Sequence, residues 1–169
     1  MDTDARELMT ELREDHRNMA VVLDLMDSLV ELMEAGKDPD FELFDEMMRY
    51  MTVYPDAVHH PKEDIVYAQL RSKRSDLAED LDHVPDDHND IAHLGSLLRD
   101  EVEAINAGAA VRREKMIEDT SAYILRLRNH MRWEEEDLFK RVDKMLDDEP
   151  QPVDIEELGH IKDPVFELE

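Results

Sequence analysis

Four times along the chain an apolar stripe at helical spacing is broken by histidine or glutamate, and the breaks recur at a fixed distance. In the first segment the stripe runs Leu8, Leu12, Met19, Leu23, Met26, Val30 and Met33, and the missing tooth is His16. The second carries Phe44, Met48 and Met51, passes Pro55, and continues as His59, Glu63, Val66 and Leu70. The third reads Val84, His88, Ile91, Gly95, Leu98, Val102 and Ile105; the fourth reads Met116, Thr120, Tyr123, Leu127, His130, Glu134 and Leu138. Steps of three and four put each set on one face of an α-helix, so the polar members point where the apolar ones do, inward.

The segments are separated by breaks with helix-ending chemistry. GKDPD at 36–40 supplies a Gly stop, an Asp able to cap and a Pro suited to a first turn; SKRSD at 72–76 and NAGAA at 106–110 supply the other two. Pro55 predicts a kink in the second segment and Pro85 an early turn or kink in the third. Only four Gly occur in 169 residues, and straight-chain helix formers dominate. The expectation is an all-α fold: an antiparallel up-down-up-down four-helix bundle over residues 1–148. An irregular, acidic, Pro-rich C-terminal tail is expected over 149–169, with Val165 and Phe166 docking on the bundle.

The polar breaks form an internal repeat. His16 and His88 stand 72 residues apart, whereas His59 and His130, and Glu63 and Glu134, stand 71 apart. DHRNMAVVLDLM resembles DHNDIAHLGSLL, and HHPKED resembles HMRWEE, so two helical hairpins each bring one lone His and one His-x-x-x-Glu pair. The four-residue spacing stacks each pair one turn apart, where both can meet one ion or the carboxylate can bridge two. A buried unpaired carboxylate costs several kcal/mol or takes up a proton, and a shared cation removes that cost for all six residues. His16, His59, Glu63, His88, His130 and Glu134 are therefore the candidate metal ligands. Four imidazoles argue against Ca²⁺ and Mg²⁺, and the lack of Cys excludes thiolate sites and disulfides. The expected cofactor is a pair of iron ions bridged by oxo or hydroxo, with manganese, zinc and other transition metals left open.

Other residues of the same types read differently. His60 points roughly 100° away from His59, which gives it a supporting or surface role rather than ligation. His83, His93 and His160 read as surface residues, with His93 kept as a weak extra ligand. Asp15 and Asp87 are expected to be solvated, and Lys62 and Asp64 to face water. The Met stripe (Met19, Met26, Met33, Met48, Met51) reads as core filling. Trp133, Tyr54 and Tyr123 read as packing or as the lining of an access route.

Asp and Glu number 45 against 20 Lys and Arg, for a formal charge of −25. Such a surface repels phosphate polyanions, so nucleic acid and anionic membranes are not expected partners; it suits solubility or a salty environment. MDTDARELMTELRED lacks the basic start and apolar core of a signal peptide, and no run approaches the ~18 apolar residues of a membrane span. A cytoplasmic location is the default expectation.

A lone His in the first helix, HHPKED in the second, DHND in the third and HMRWEEEDLF in the fourth together resemble the hemerythrin-like, or HHE cation-binding, family, over roughly residues 5–147. The resemblance implies a non-haem di-iron four-helix bundle in which the six residues named above match the ligand positions, the two glutamates as bridges. Oxygen-carrying hemerythrins have a second His four residues along helix three, where Ala92 stands here, and a carboxylate five residues after the last His, where Glu135 stands beside Glu134. The four-His, two-Glu set is similar to that of bacterial iron–sulfur repair proteins and iron-sensing hemerythrin-like domains; such repair proteins usually also carry a Cys-bearing domain, and this chain has no Cys. The expected function is binding or sensing of O₂, NO or peroxide, or iron handling in a stress response. A di-iron enzyme (peroxidase, ferroxidase, or NO-handling or repair activity) is the alternative, and a metal-free interaction bundle is the third reading.

Overall fold

The computed structural model describes residues 5–148 together with Ile161. The expected C-terminal tail, with Val165, Phe166 and His160, therefore lies outside the described residues apart from Ile161. Among the described residues six α-helices stack into four rods: α1 (Ala5–Glu34), α2 (Phe41–Tyr54) continued by α3 (His60–Lys73), α4 (Val84–Asn106), and α5 (Arg113–Trp133) continued by α6 (Phe139–Asp148). No strand occurs among them. The rods form a ring: α1 packs on α2, α3, α5 and α6, and α4 packs on α2 and α5. This is the up-down-up-down bundle that the four stripes predict.

Local chemistry explains the ends. Past α1, Gly36 takes a φ of +74°, and its N–H and that of Lys37 bond back to Met33 and Leu32 carbonyls. Gly is suited to that left-handed turn because it has no Cβ. Asp40 caps α2 with its side chain, accepting from the N–H groups of Glu42 and Leu43 at 3.1 Å each; Pro39 stands before the cap rather than in the first turn. Pro85 sits in the first turn of α4, where its missing N–H leaves no bond unmade. At Pro55, where the sequence predicts a kink, the regular α-helix is interrupted. The proline opens a π-helical turn, Pro55–His59, closed by a bond from the His60 N–H to the Pro55 carbonyl, and the rod runs on into α3. A second π-turn, Glu134–Leu138, joins α5 to α6 without a proline.

The core has two apolar parts. One gathers Met19, Leu23, Met26, Phe44, Met48, Leu98, Val102 and Tyr123; the other gathers Leu8, Leu12, Val66, Tyr67, Leu70, Val84, Leu138 and Phe139. Burying each such side chain contributes ~2 kcal/mol, which is what closes the ring of rods. Along every rod the polar breaks fall between these parts. The bundle thus carries a polar layer sandwiched between two dry ones. No helix among the described residues is long and apolar enough to cross a membrane.

Candidate metal centre

Each rod delivers its polar residues to that layer. His16, His59, Glu63, His130 and Glu134 are buried, and His88 is nearly so, with a side chain 11% exposed. His59 closes the first π-turn and Glu134 opens the second. A π-turn widens the helix by one residue and re-aims the side chains beyond it, a device that recurs at functional sites. Sequence spacing alone does not reveal it, because His59 to Glu63 and His130 to Glu134 count as ordinary helical steps.

The six residues converge as two nests sharing two carboxylates. His16 Nε2 and His59 Nε2 face each other at 3.0 Å. Glu63 Oε1 lies 3.1 Å from His59 Nε2 and 3.7 Å from His16 Nε2, while its Oε2 turns the other way, 3.5 Å from His88 Nε2. Glu134 repeats this with opposite hand: Oε2 lies 3.3 Å from His16 Nε2, and Oε1 lies 3.2 Å from His130 Nε2 and 3.7 Å from His88 Nε2. Thus each carboxylate gives one oxygen to each imidazole pair. His16, His59, Glu63 and Glu134 form one group able to hold an ion, and His88, His130 and Glu134 form another.

Carboxylates hold the outward ring nitrogens of His16 and His59, and one stands behind that of His130, which has no hydrogen-bond partner among the described residues. His16 Nδ1 is 3.1 Å from Glu135 Oε1, His59 Nδ1 is 3.2 Å from Asp15 Oδ2, and His130 Nδ1 is 3.8 Å from Asp87 Oδ2. A carboxylate behind an imidazole fixes its tautomer and turns the other nitrogen toward an ion. Asp15 therefore departs from the solvated role expected of it: it is buried, and it also accepts from the Tyr54 hydroxyl at 2.9 Å. Asp87 is likewise engaged, by Arg126 as well as His130. The paired Asp-His steps at 15–16 and 87–88 are the signal the sequence offers for both; it misleads because each aspartate serves the histidine of the following rod, not its own neighbour.

Several other expectations change. His60 takes the supporting one of its two expected roles rather than the surface one: it is buried, its ring stacks on His88 with centroids 3.8 Å apart, and its Nδ1 lies 3.2 Å from Asp56. Lys62 is half-buried and paired with Glu11 rather than facing water. Tyr67, which the spacing did not single out, is buried and donates its hydroxyl to Glu134 Oε1 at 3.1 Å. His83 and His93 are exposed, as expected, and His93 makes no approach to the centre. Tyr123 is packing, its hydroxyl 3.4 Å from the Met51 carbonyl. Trp133 packs between the rings of His83 and His130.

With protons as the only counter-charge the layer is strained electrostatically. Burial disfavours charge on His16, but hydrogen bonds and charge from Glu134 and Glu63 outweigh it and push the pKa up to about 10. For His59, burial is outweighed by the Glu63 charge and the Asp15 hydrogen bond, giving about 9. Burial and the Glu134 charge raise Glu63, yet the His59 and His16 imidazoles win and hold it at about 2. Glu134, opposed by burial, is held well below the usual range by the imidazoles of His130, His16 and His88 that face it. Even so, both oxygens of Glu63, Oε2 of Glu134 and the Nε2 atoms of His88 and His130 are buried without a hydrogen-bond partner among the described residues. Orphaned acceptors of that kind fit cations, which supply the missing charge without needing a proton.

A four-helix bundle with imidazoles and carboxylates turned onto a common buried layer defines a cation-binding helical protein. The family model described as the Hemerythrin HHE cation binding domain matches residues 7–142, and the chain belongs to that family. Comparison with curated proteins and with solved structures returned no match.

Proposed function

We propose that the chain is a non-haem di-iron protein that binds or senses O₂, NO or peroxide, or handles iron, in a stress response. One observation carries the reading: Glu63 and Glu134 each divide their two oxygens between the two imidazole pairs. A mononuclear site has no use for that division. His16 and His59 would hold one ion and His88 and His130 the other, with Glu63 and Glu134 donating to both; four imidazoles with two such carboxylates suit iron. Iron held by these residues would supply redox chemistry toward O₂, NO or peroxide.

The chain's own residues set the conditions. Asp15 and Glu135 orient His59 and His16. Phe139 stacks on His16 at 5.1 Å, and Leu12, Val66 and Leu138, all buried, keep bulk water from one side of the layer. Burial and the charges of Glu63 and Glu134 push the Tyr67 pKa well above its ordinary value, so the hydroxyl stays protonated and serves as a fixed donor to Glu134. Ala92 stands where the oxygen carriers place a further imidazole, and with fewer nitrogen donors ferrous iron is oxidised more readily. Sensing or iron handling is therefore favoured over bulk oxygen carriage. Tyr67 also supports a second reading, a di-iron enzyme of peroxidase, ferroxidase or NO-handling type, because its proton lies at the centre on a group that is not a ligand.

Metal analysis of the purified full chain is expected to give two irons per chain. Stopped-flow mixing of the reduced protein with O₂ is expected to give irreversible conversion to the ferric state; a visible band lost again under argon would instead support carriage. Sustained turnover of peroxide with a reductant would select the enzyme.

A further inference from the structure

The internal repeat gives the centre two openings. One lies between α1 and α5, a cavity of about 350 Å³ beside His16; the other lies between α3 and α4, a cavity of about 320 Å³ beside His88. By the repeat's spacing they are the same place twice: Arg17 corresponds to Asn89, Ala20 to Ala92, Met131 to His60, Arg132 to Pro61 and Glu135 to Asp64. The substitutions make the two chemically unlike. Arg17 and Arg132 line the first against Glu135 and Glu136, with Arg128 there paired to Asp24 and Asp27, so the charges of that opening are close to balanced. Asp56 and Asp64 line the second, with no Lys or Arg among its described lining residues. A cation is drawn to the second more than to the first.

At the inner end of the acidic opening lies a third donor group, which shares Glu63 and His88 with the nests and adds His60. Donor atoms of His60, Glu63 and His88 come within 4.8 Å of one another. Glu63 is 0% exposed and neither of its oxygens has a hydrogen-bond partner among the described residues. His88 is the most accessible of the six converging residues, its side chain 11% exposed against 2% or less for His16, His59, His130, Glu63 and Glu134. The His60 ring lies 12° from parallel to that of His88. Stacked imidazoles cannot aim in-plane lone pairs at one ion, so His60 is no permanent partner of His88. It stands instead where an incoming ion meets it before the nests.

We propose that His60, with Glu63 and His88 beneath it and Asp56 and Asp64 at the mouth, is an entry site for a hydrated divalent cation, through which ions reach the two nests. The proposal rests on the dinuclear reading above. Asp56 and Asp64 concentrate the hydrated ion, His60 turns from its stack to replace a first water, and Glu63 and His88 draw the ion inward.

The test is the rate of Co²⁺ uptake by the chelator-stripped full chain, followed by stopped-flow visible absorbance, with the final metal content measured separately. His60→Ala is expected to slow uptake at least tenfold and Asp64→Asn severalfold, with two ions still bound at the end. Ala92→Phe, which plugs the cavity and removes no donor, is expected to slow it similarly and keeps the test independent of how His60→Ala folds. Arg132→Ala, at the other opening, is expected to stay within twofold of the unaltered chain. Unchanged rates in His60→Ala and Ala92→Phe, or an equal slowing in Arg132→Ala, overturn the entry route and leave the dinuclear reading standing. Loss of an ion from the His60→Ala end point makes His60 a permanent ligand and likewise overturns it. Fewer than two ions in the unaltered chain overturns both.

Discussion

Glu63 and Glu134 are the residues on which the centre turns, because each faces both imidazole pairs with a different oxygen. Truncating either removes a donor from both nests at once. Glu63→Ala or Glu134→Ala is therefore expected to lower bound iron from two per chain to one or none, whereas His93→Ala, on the exposed face, leaves it unchanged; metal analysis checks this, and two irons in both glutamate variants would refute the bridging roles. All six converging residues were legible in the sequence because helical spacing fixes which face a residue takes, and a polar group on an apolar face needs a reason. Asp15, His60 and Tyr67 were not, because their parts depend on contacts between rods. Asp15 reaches His59 from a rod 44 residues away, and His60 points off the stripe yet meets His88 across the α3–α4 seam. Spacing along one helix carries no information about either.

At the scale of the elements, the approach of the rods is set where a side chain is missing. A Cβ on Gly95 of α4 would stand 3.1 Å from both the Thr52 methyl of α2 and the Tyr123 ring of α5. Neither neighbour gives easily: the Thr52 hydroxyl donates to the Met48 carbonyl at 2.7 Å, and Tyr123 is 1% exposed. Removing glycine's freedom inside a helix gains up to ~1 kcal/mol, while overpacking costs ~1–3 kcal/mol. With the branched carbons of valine added, the cost wins. Gly95→Val is expected to destabilise the fold by about 2 kcal/mol, seen as a lower denaturation midpoint at unchanged slope; an unshifted midpoint would mean that the three rods do not meet closely there. The stripe placed Gly95 inward, but only the packing shows that it faces two rods at once. The two π-turns were legible even less. Pro55 announced a disturbance without its kind, and Glu134–Leu138 contains nothing that distinguishes it locally from an α-helix.

For the whole molecule, the polar layer between two apolar parts sets how stability responds to pH. His16 and His59 have pKa values raised to about 10 and about 9 by the glutamates that face them, against burial. A group whose pKa is raised by folding contributes stability that is full below its unfolded value, ~6.5, and is lost as pH rises through its folded value. The metal-stripped chain should thus weaken steadily between about pH 6.5 and pH 10. Glu63, held at about 2, acts in the other direction: its contribution is full above the unfolded value, ~4.3, and fades as pH falls toward 2. In a loaded chain the ions would take the place of the histidine protons, so those imidazoles would no longer titrate on the alkaline side. The formal charge of −25 burdens both forms, and surface titration changes it alike in each, so the difference between them isolates the centre. Thermal unfolding followed by circular dichroism is expected to show the stripped chain losing on the order of 5 °C between pH 6.5 and pH 10, as a domain of this size does for ~2 kcal/mol, while the loaded chain keeps its midpoint. Parallel curves for the two forms would mean that the buried histidines hold no proton that metal displaces.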